Sequence, residues 1–247
     1  MEEKYYTSER IFDKCAEAIK EPETFYDQDF VNYRSKTTDD DRLCTELVAQ
    51  FLLEKKNFDK LNEIVIHSRT AVGKKYNMHH KGEYPAAINH DSEKIIAIDL
   101  YNQSKEQGPF DYIGNVIDYQ TPLKTKLKDP YGEIDLLSVN DKEKTVYLLE
   151  LKRKNAKASE TLLKCVLEAF TYYKIVDREN LLKEFGKEGY DFKISPLVFK
   201  DDDQYEEWID MNNGNRPNLK ALMEKLEAVP FFLSSKDTEY QYIVTNE

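Results

Sequence analysis

Asp135, Glu150 and Lys152 lie on neighbouring apolar segments, and their types and spacing suit metal-assisted hydrolysis of a phosphodiester. Asp135 sits inside Gly132-Glu133-Ile134-Asp135-Leu136-Leu137, where an unpaired carboxylate would be costly to bury. In Val146-Tyr147-Leu148-Leu149-Glu150-Leu151-Lys152, strict alternation puts Val146, Leu148, Glu150 and Lys152 on one face of a strand. If Asn140 and Thr145 flank the turn between the two segments, antiparallel pairing brings Asp135 opposite Glu150. Two carboxylates so placed repel, which makes little sense as pure structure and good sense with a divalent cation between them. Magnesium is the expected cation and manganese its substitute, because magnesium is commonly held by one or two carboxylates plus waters and substrate phosphate. It would acidify a bound water and polarise the phosphoryl oxygen, while Lys152 steadies the water or the phosphate. The bland alternative is a solvated strand end, Glu150-Leu151-Lys152-Arg153, with Asp135 salt-bridged to Lys152.

These residues need a hairpin, and the flanking periodicity predicts one within a larger sheet. Glu133 to Val139 and Thr145 to Lys152 read as its strands, with Asn140-Asp141 starting the turn. A helix capped by Asp91 or Ser92, carrying Ile95, Ile96, Leu100 and Gln103, and a strand from Tyr112 to Leu123 come before them. After them come a helix capped by Ser159 and running to about Ile175, with Leu162, Leu163, Val166, Phe170 and Tyr173 as its buried stripe, and a strand from Phe192 to Phe199. The order α-β-β-β-α-β predicts a mixed sheet flanked by helices, an α/β or α+β layered architecture.

Residues 1–90 read as a mostly helical region, with Tyr6, Ile11, Cys15 and Ile19, then Leu43, Leu47, Phe51 and Leu52, at helical spacing. Its last part, residues 67–90, holds all four histidines, and His79-His80 and His90 match no zinc spacing. Residues 91–200 form the expected core. Residues 201–247 read as an extension of it: a polar stretch with Trp208, a helix from about Pro217 to Leu226, and a strand pair near Phe231 and Tyr242.

The embedded Asp, the hairpin-length gap, the apolar strand ending in E-x-K and the helix that follows resemble the PD-(D/E)xK nuclease superfamily, over roughly residues 92–199. The resemblance implies a restriction-endonuclease-like fold in which Asp135, Glu150 and the backbone carbonyl of Leu151 bind the metal and Lys152 assists the attack. Ile134 departs from the family pattern, which has Pro at that position. Glu168 and Tyr172 look like the Q-x-x-x-Y element of exonuclease-like branches, with Glu for Gln; an exposed ion pair between Lys164 and Glu168 is the competing reading. Glu93 matches a metal-shell glutamate that many members carry on the preceding helix, and Glu46 is its weaker rival. Gln120 could face the same cleft. Lys124, Lys126 and Lys128 on one side, and Arg153, Lys154 and Lys157 on the other, would carry a phosphate backbone with Tyr172, supporting affinity more than base reading.

The net charge of −11 argues against a basic nucleic-acid coat but not against a nuclease whose acids bind metal. Forty per cent hydrophobic residues, with 17 Tyr and 12 Phe, supply a core that a disordered chain would lack. The runs Asp39-Asp40-Asp41 and Asp201-Asp202-Asp203 suit loops or helix starts. Cys15, Cys44 and Cys165 are too scattered for a disulfide framework or zinc site and read as small buried residues. With no secretion signal or apolar membrane span, a cytoplasmic location is expected. The expected partner is nucleic acid, DNA before RNA, with a homodimer or a larger defence or repair assembly open. The rival function is a non-catalytic or regulatory member of the same fold that binds nucleic acid or protein.

Overall fold

The sheet grows outward from a central strand that is buried along its whole length. The computed structural model describes residues 5–89, 92–126, 129, 131–153, 160–236 and 240–247. The central strand, β3 (Thr145–Leu151), pairs antiparallel with β2 (Glu133–Asn140), which pairs antiparallel with β1 (Asn115–Pro122). On its other side β3 runs parallel to β4 (Asp191–Phe199), β4 runs parallel to β5 (Phe231–Ser235), and β6 (Tyr242–Thr245) closes the edge antiparallel to β5. The result is an α+β fold on a six-stranded mixed sheet ordered β1-β2-β3-β4-β5-β6. Covering both faces explains why β3 reads as an almost unbroken apolar run.

Alternation divides the strands between two cores. Leu137, Val139, Val146 and Leu148 join one, which is packed by α1 (Ser8–Ala18), α2 (Cys44–Leu53), α5 (Leu162–Ile175) and α8 (Pro217–Lys225). Leu136, Tyr147, Leu149 and Leu151 join the other, under α4 (Glu93–Gln107). The N-terminal helices therefore share a core with α5 and the sheet. Each buried leucine in such a core is worth about 2–5 kcal/mol against truncation to alanine. Two parallel crossovers complete the connections: α5 and α6 (Arg178–Glu184) link β3 to β4, and α7 (Asp203–Asn212) with α8 links β4 to β5. A short α3 (Lys55–Leu61) and a 3-10 turn, Pro22–Asp27, lie in the N-terminal part.

The hairpin forms in the expected register, Leu136 against Leu149 and Asn140 against Thr145. Ser92 caps α4 by accepting from the Ile95 N–H at 3.3 Å. Asp91, the other cap considered, and His90 lie outside the described residues. The helix after β3 is capped by Thr161, whose hydroxyl accepts from the Lys164 N–H at 3.1 Å. Ser159, expected as that cap, also lies outside the described residues.

The polar stretch around Trp208 forms a helix, α7. Its buried positions are Gln204, Glu207 and Met211, so the face turned inward is mostly polar and leaves no apolar period to read. Trp208 packs on Tyr205 and Phe232 instead. Helix α6, with only Leu181 buried, was equally hidden.

The acidic runs fall in a loop and at a helix start: Asp39, in a turn, accepts from the Ser8 N–H at the start of α1 at 3.0 Å, and Asp202 caps α7. All three cysteines are free and buried. Gly114 has φ +73°, and a Cβ there would lie 2.0 Å from the Val139 carbonyl oxygen, so only glycine fits where β1 begins. Among the described residues no helix is long and apolar enough to cross a membrane.

Candidate active site

Four elements deliver carboxylates to one end of the sheet. Asp135 lies one residue beyond the Leu136–Leu149 pair, on the face shared by Leu137 and Leu148, and Glu150 continues that face on β3. The ladder is held together there by a side chain: Asp135 Oδ2 accepts from the Leu151 N–H at 2.9 Å. Helix α5 adds Glu168, and the first turn of α4 adds Glu93, which accepts from the Arg153 N–H at 3.2 Å. Together these residues line a cleft of about 690 Å³.

Lys152 is the positive centre. Its ammonium is buried and donates to Glu150 Oε1 at 2.7 Å and Glu168 Oε2 at 2.8 Å, with Glu160 Oε2 at 2.9 Å. An ammonium has three donors, and three carboxylates take them. Tyr172 donates its hydroxyl to Glu168 Oε1 at 3.0 Å from the floor of the cleft. Gly132 leaves room for that hydroxyl, which a Cβ would approach to 3.1 Å.

The acids remain in excess, and their ionisation reflects it. Burial pushes Asp135 up to about 7, with Glu93 and Glu168 adding to the shift while Lys152 and the Leu151 N–H oppose it. Burial also raises Glu150 well above the ordinary carboxylate range, reinforced by the charges of Asp135 and Glu168. Burial alone would lower Lys152, but Glu150, Glu168 and Glu160 hold its pKa well above the usual value. A divalent cation suits this set, because Glu150 Oε2 is buried and has no hydrogen-bond partner among the described residues. The described residues contain no ready group of three or more His, Cys, Asp or Glu ligands, and magnesium commonly needs only one or two carboxylates.

The structure thus brings together Asp135, Glu150, Lys152, Glu168, Glu93 and Tyr172, with Gln120 also lining the cleft. At Leu151 the contact it gives is the N–H on Asp135. Lys124 and Arg153 are exposed and line the cleft; Lys126 is exposed and does not. Lys128, Lys154 and Lys157 lie outside the described residues.

Two competing readings are corrected. Lys164 pairs with Glu160 and lies 3.6 Å from Asp27, so it leaves Glu168 to Lys152. Glu46 does not line the cleft and serves α8 instead, accepting from the Asn218 N–H at 2.9 Å and the Leu219 N–H at 2.8 Å. Histidines 67 and 80 pair separately, with Glu23 at 3.2 Å and Asp118 at 2.8 Å.

Sequence reading missed Glu160 and its supports. Its carbonyl accepts from Arg34 and from Gln204 Nε2 at 2.7 Å, and Arg34 also donates to Glu207 at 2.8 Å. The i,i+4 spacing of Glu160 and Lys164 was a readable signal, but one that a surface helix would give equally. Tyr26, from the Pro22–Asp27 turn, packs edge-on against Tyr172, and burial together with Glu168 pushes its pKa up to about 12.

Comparison of the chain with protein-family models, with curated proteins and with solved structures finds no match.

Proposed function

We propose that the cleft hydrolyses phosphodiester bonds of nucleic acid, DNA in the first place, in the manner of a PD-(D/E)xK nuclease. The observation that carries this reading is the buried, unpartnered Oε2 of Glu150 beside a second acid, the half-buried Asp135, whose pKa desolvation pushes up to about 7. Asp135 and Glu150 would hold magnesium or manganese, with Glu93 at the edge. Bound there, the cation would lower the pKa of a coordinated water and stabilise charge on the phosphoryl oxygen.

The chain's own residues have separable tasks. The Leu151 N–H fixes the Asp135 carboxylate, leaving its other oxygen for the cation. Glu160 and Glu168 anchor the Lys152 ammonium, so it stays beside the reacting phosphate when Glu150 turns to a cation. Tyr172 orients Glu168. Lys124 and Arg153 at the rim would neutralise flanking phosphates.

The test is incubation of purified protein with single-stranded DNA, duplex DNA and RNA, in magnesium, manganese or chelator. Cation-dependent cleavage is expected, and Glu150→Gln should abolish it. A second reading, a non-catalytic binding protein, is favoured by the three-carboxylate engagement of Lys152, which forms a charge network without any cation. Binding without cleavage under all of these conditions would select it.

A further inference from the structure

We infer that Gln120 is a substrate-binding residue whose carboxamide donates to a non-bridging oxygen of the phosphate beside Asp135. This rests on the nuclease reading but is argued from other observations. Gln120 lies on β1 between Tyr119, paired with Leu136, and Thr121, paired with Ile134, so the residue across from it is Asp135. Its φ is +47°, a left-handed conformation inside a strand whose register is the same before and after it. Non-glycine residues rarely adopt that region, and where they do the strain is often part of a functional site. The side chain it displays lines the cleft.

The donor inventory of the cleft gives the strain a purpose. Lys152 is occupied by three carboxylates, Tyr172 by Glu168, and Gln204 by the Glu160 carbonyl. Among the described cleft residues, the side-chain donors left without a hydrogen bond are those of Lys124, Arg153 and Gln120. The first two are exposed at the rim, whereas Gln120 is half-buried beside Asp135. A phosphate entering between the half-buried Asp135 and the buried Glu150 needs a donor at that depth, and a neutral amide supplies one without competing with the cation for the carboxylates.

The experiment compares wild type with Gln120→Gly, Gln120→Ala and Gln120→Asn in three measurements. These are the thermal unfolding midpoint, the affinity for a fluorescein-labelled single-stranded DNA 12-mer in calcium, and cleavage in magnesium. Gln120→Gly should raise the midpoint, because glycine accepts the left-handed backbone, yet weaken binding and cleavage about tenfold, the worth of one lost hydrogen bond to a charged group. Gln120→Ala should weaken both equally without the gain in midpoint. Gln120→Asn, which tolerates this backbone and keeps an amide, should recover part of the loss. Glycine and alanine variants that bind and cleave as wild type does would overturn the assignment while leaving the nuclease reading intact. A wild type that binds but never cleaves, with binding lost in both variants, would overturn the nuclease reading and keep Gln120 as a phosphate ligand.

Discussion

The Asp135 carboxylate accepts the Leu151 N–H at 2.9 Å, so a side chain of β2 continues the ladder to β3 where backbone pairing ends. One oxygen of a half-buried acid is thereby spent on structure. The other faces a cleft that already holds Glu150, Glu168 and Glu93.

Asp135→Asn should retain an acceptor for that N–H while removing a like charge from Glu150. The cation-free protein should then gain on the order of 1 kcal/mol, since a one-unit pKa shift corresponds to about 1.4 kcal/mol. The same variant should lose any rise in unfolding midpoint that magnesium or manganese gives wild type. Scanning calorimetry in chelator and in each cation reads both effects.

In chelator, stability should fall as pH rises from about 4 to about 7. The folded pKa of Asp135, at about 7, lies above its ordinary value of 3.8, so its contribution is fully present below the ordinary value and lost as pH climbs through the folded one. Glu150 is shifted in the same direction. Lys152, raised above 10.5, stays protonated throughout and adds no slope in this window. Urea midpoints at pH 5 and pH 8 check the sign; a higher midpoint at pH 8 would contradict it.

Lys152→Ala should cost about 3–5 kcal/mol at neutral pH, because it strands buried carboxylates that the ammonium satisfies. Acidification should restore part of that loss by protonating them. A variant as stable as wild type at pH 7 would show that Lys152 is not the centre of the network.

The hairpin was readable because alternation and the length of the turn specify its register, and Ser92 and the stripe on α5 because capping and helical period are local signals. Glu160 was not, since its contact with Lys152 depends on how Arg34 and Gln204 hold the chain before α5. Gln120 could be placed at the cleft by its strand, but its backbone strain leaves no trace in composition. Helix α7 hid its inward face behind Gln204 and Glu207. Glu46 shows the converse, an acid on an early helix whose partners, the N–H groups of α8, lie far along the sequence.

Glu46→Ala should destabilise the fold by about 0.5–2 kcal/mol through loss of a helix-terminus acceptor, and leave cleavage per folded molecule unchanged. Denaturant unfolding together with a nuclease assay separates the two effects.

Anomalous diffraction from crystals soaked in manganese would locate a cation between Asp135 and Glu150. The expected result is a manganese peak contacted by the carboxylates of both Asp135 and Glu150, absent from Glu150→Gln crystals soaked in the same way. A soaked wild-type crystal with no peak in the cleft, and Lys152 still bound to Glu150, Glu160 and Glu168, would contradict it.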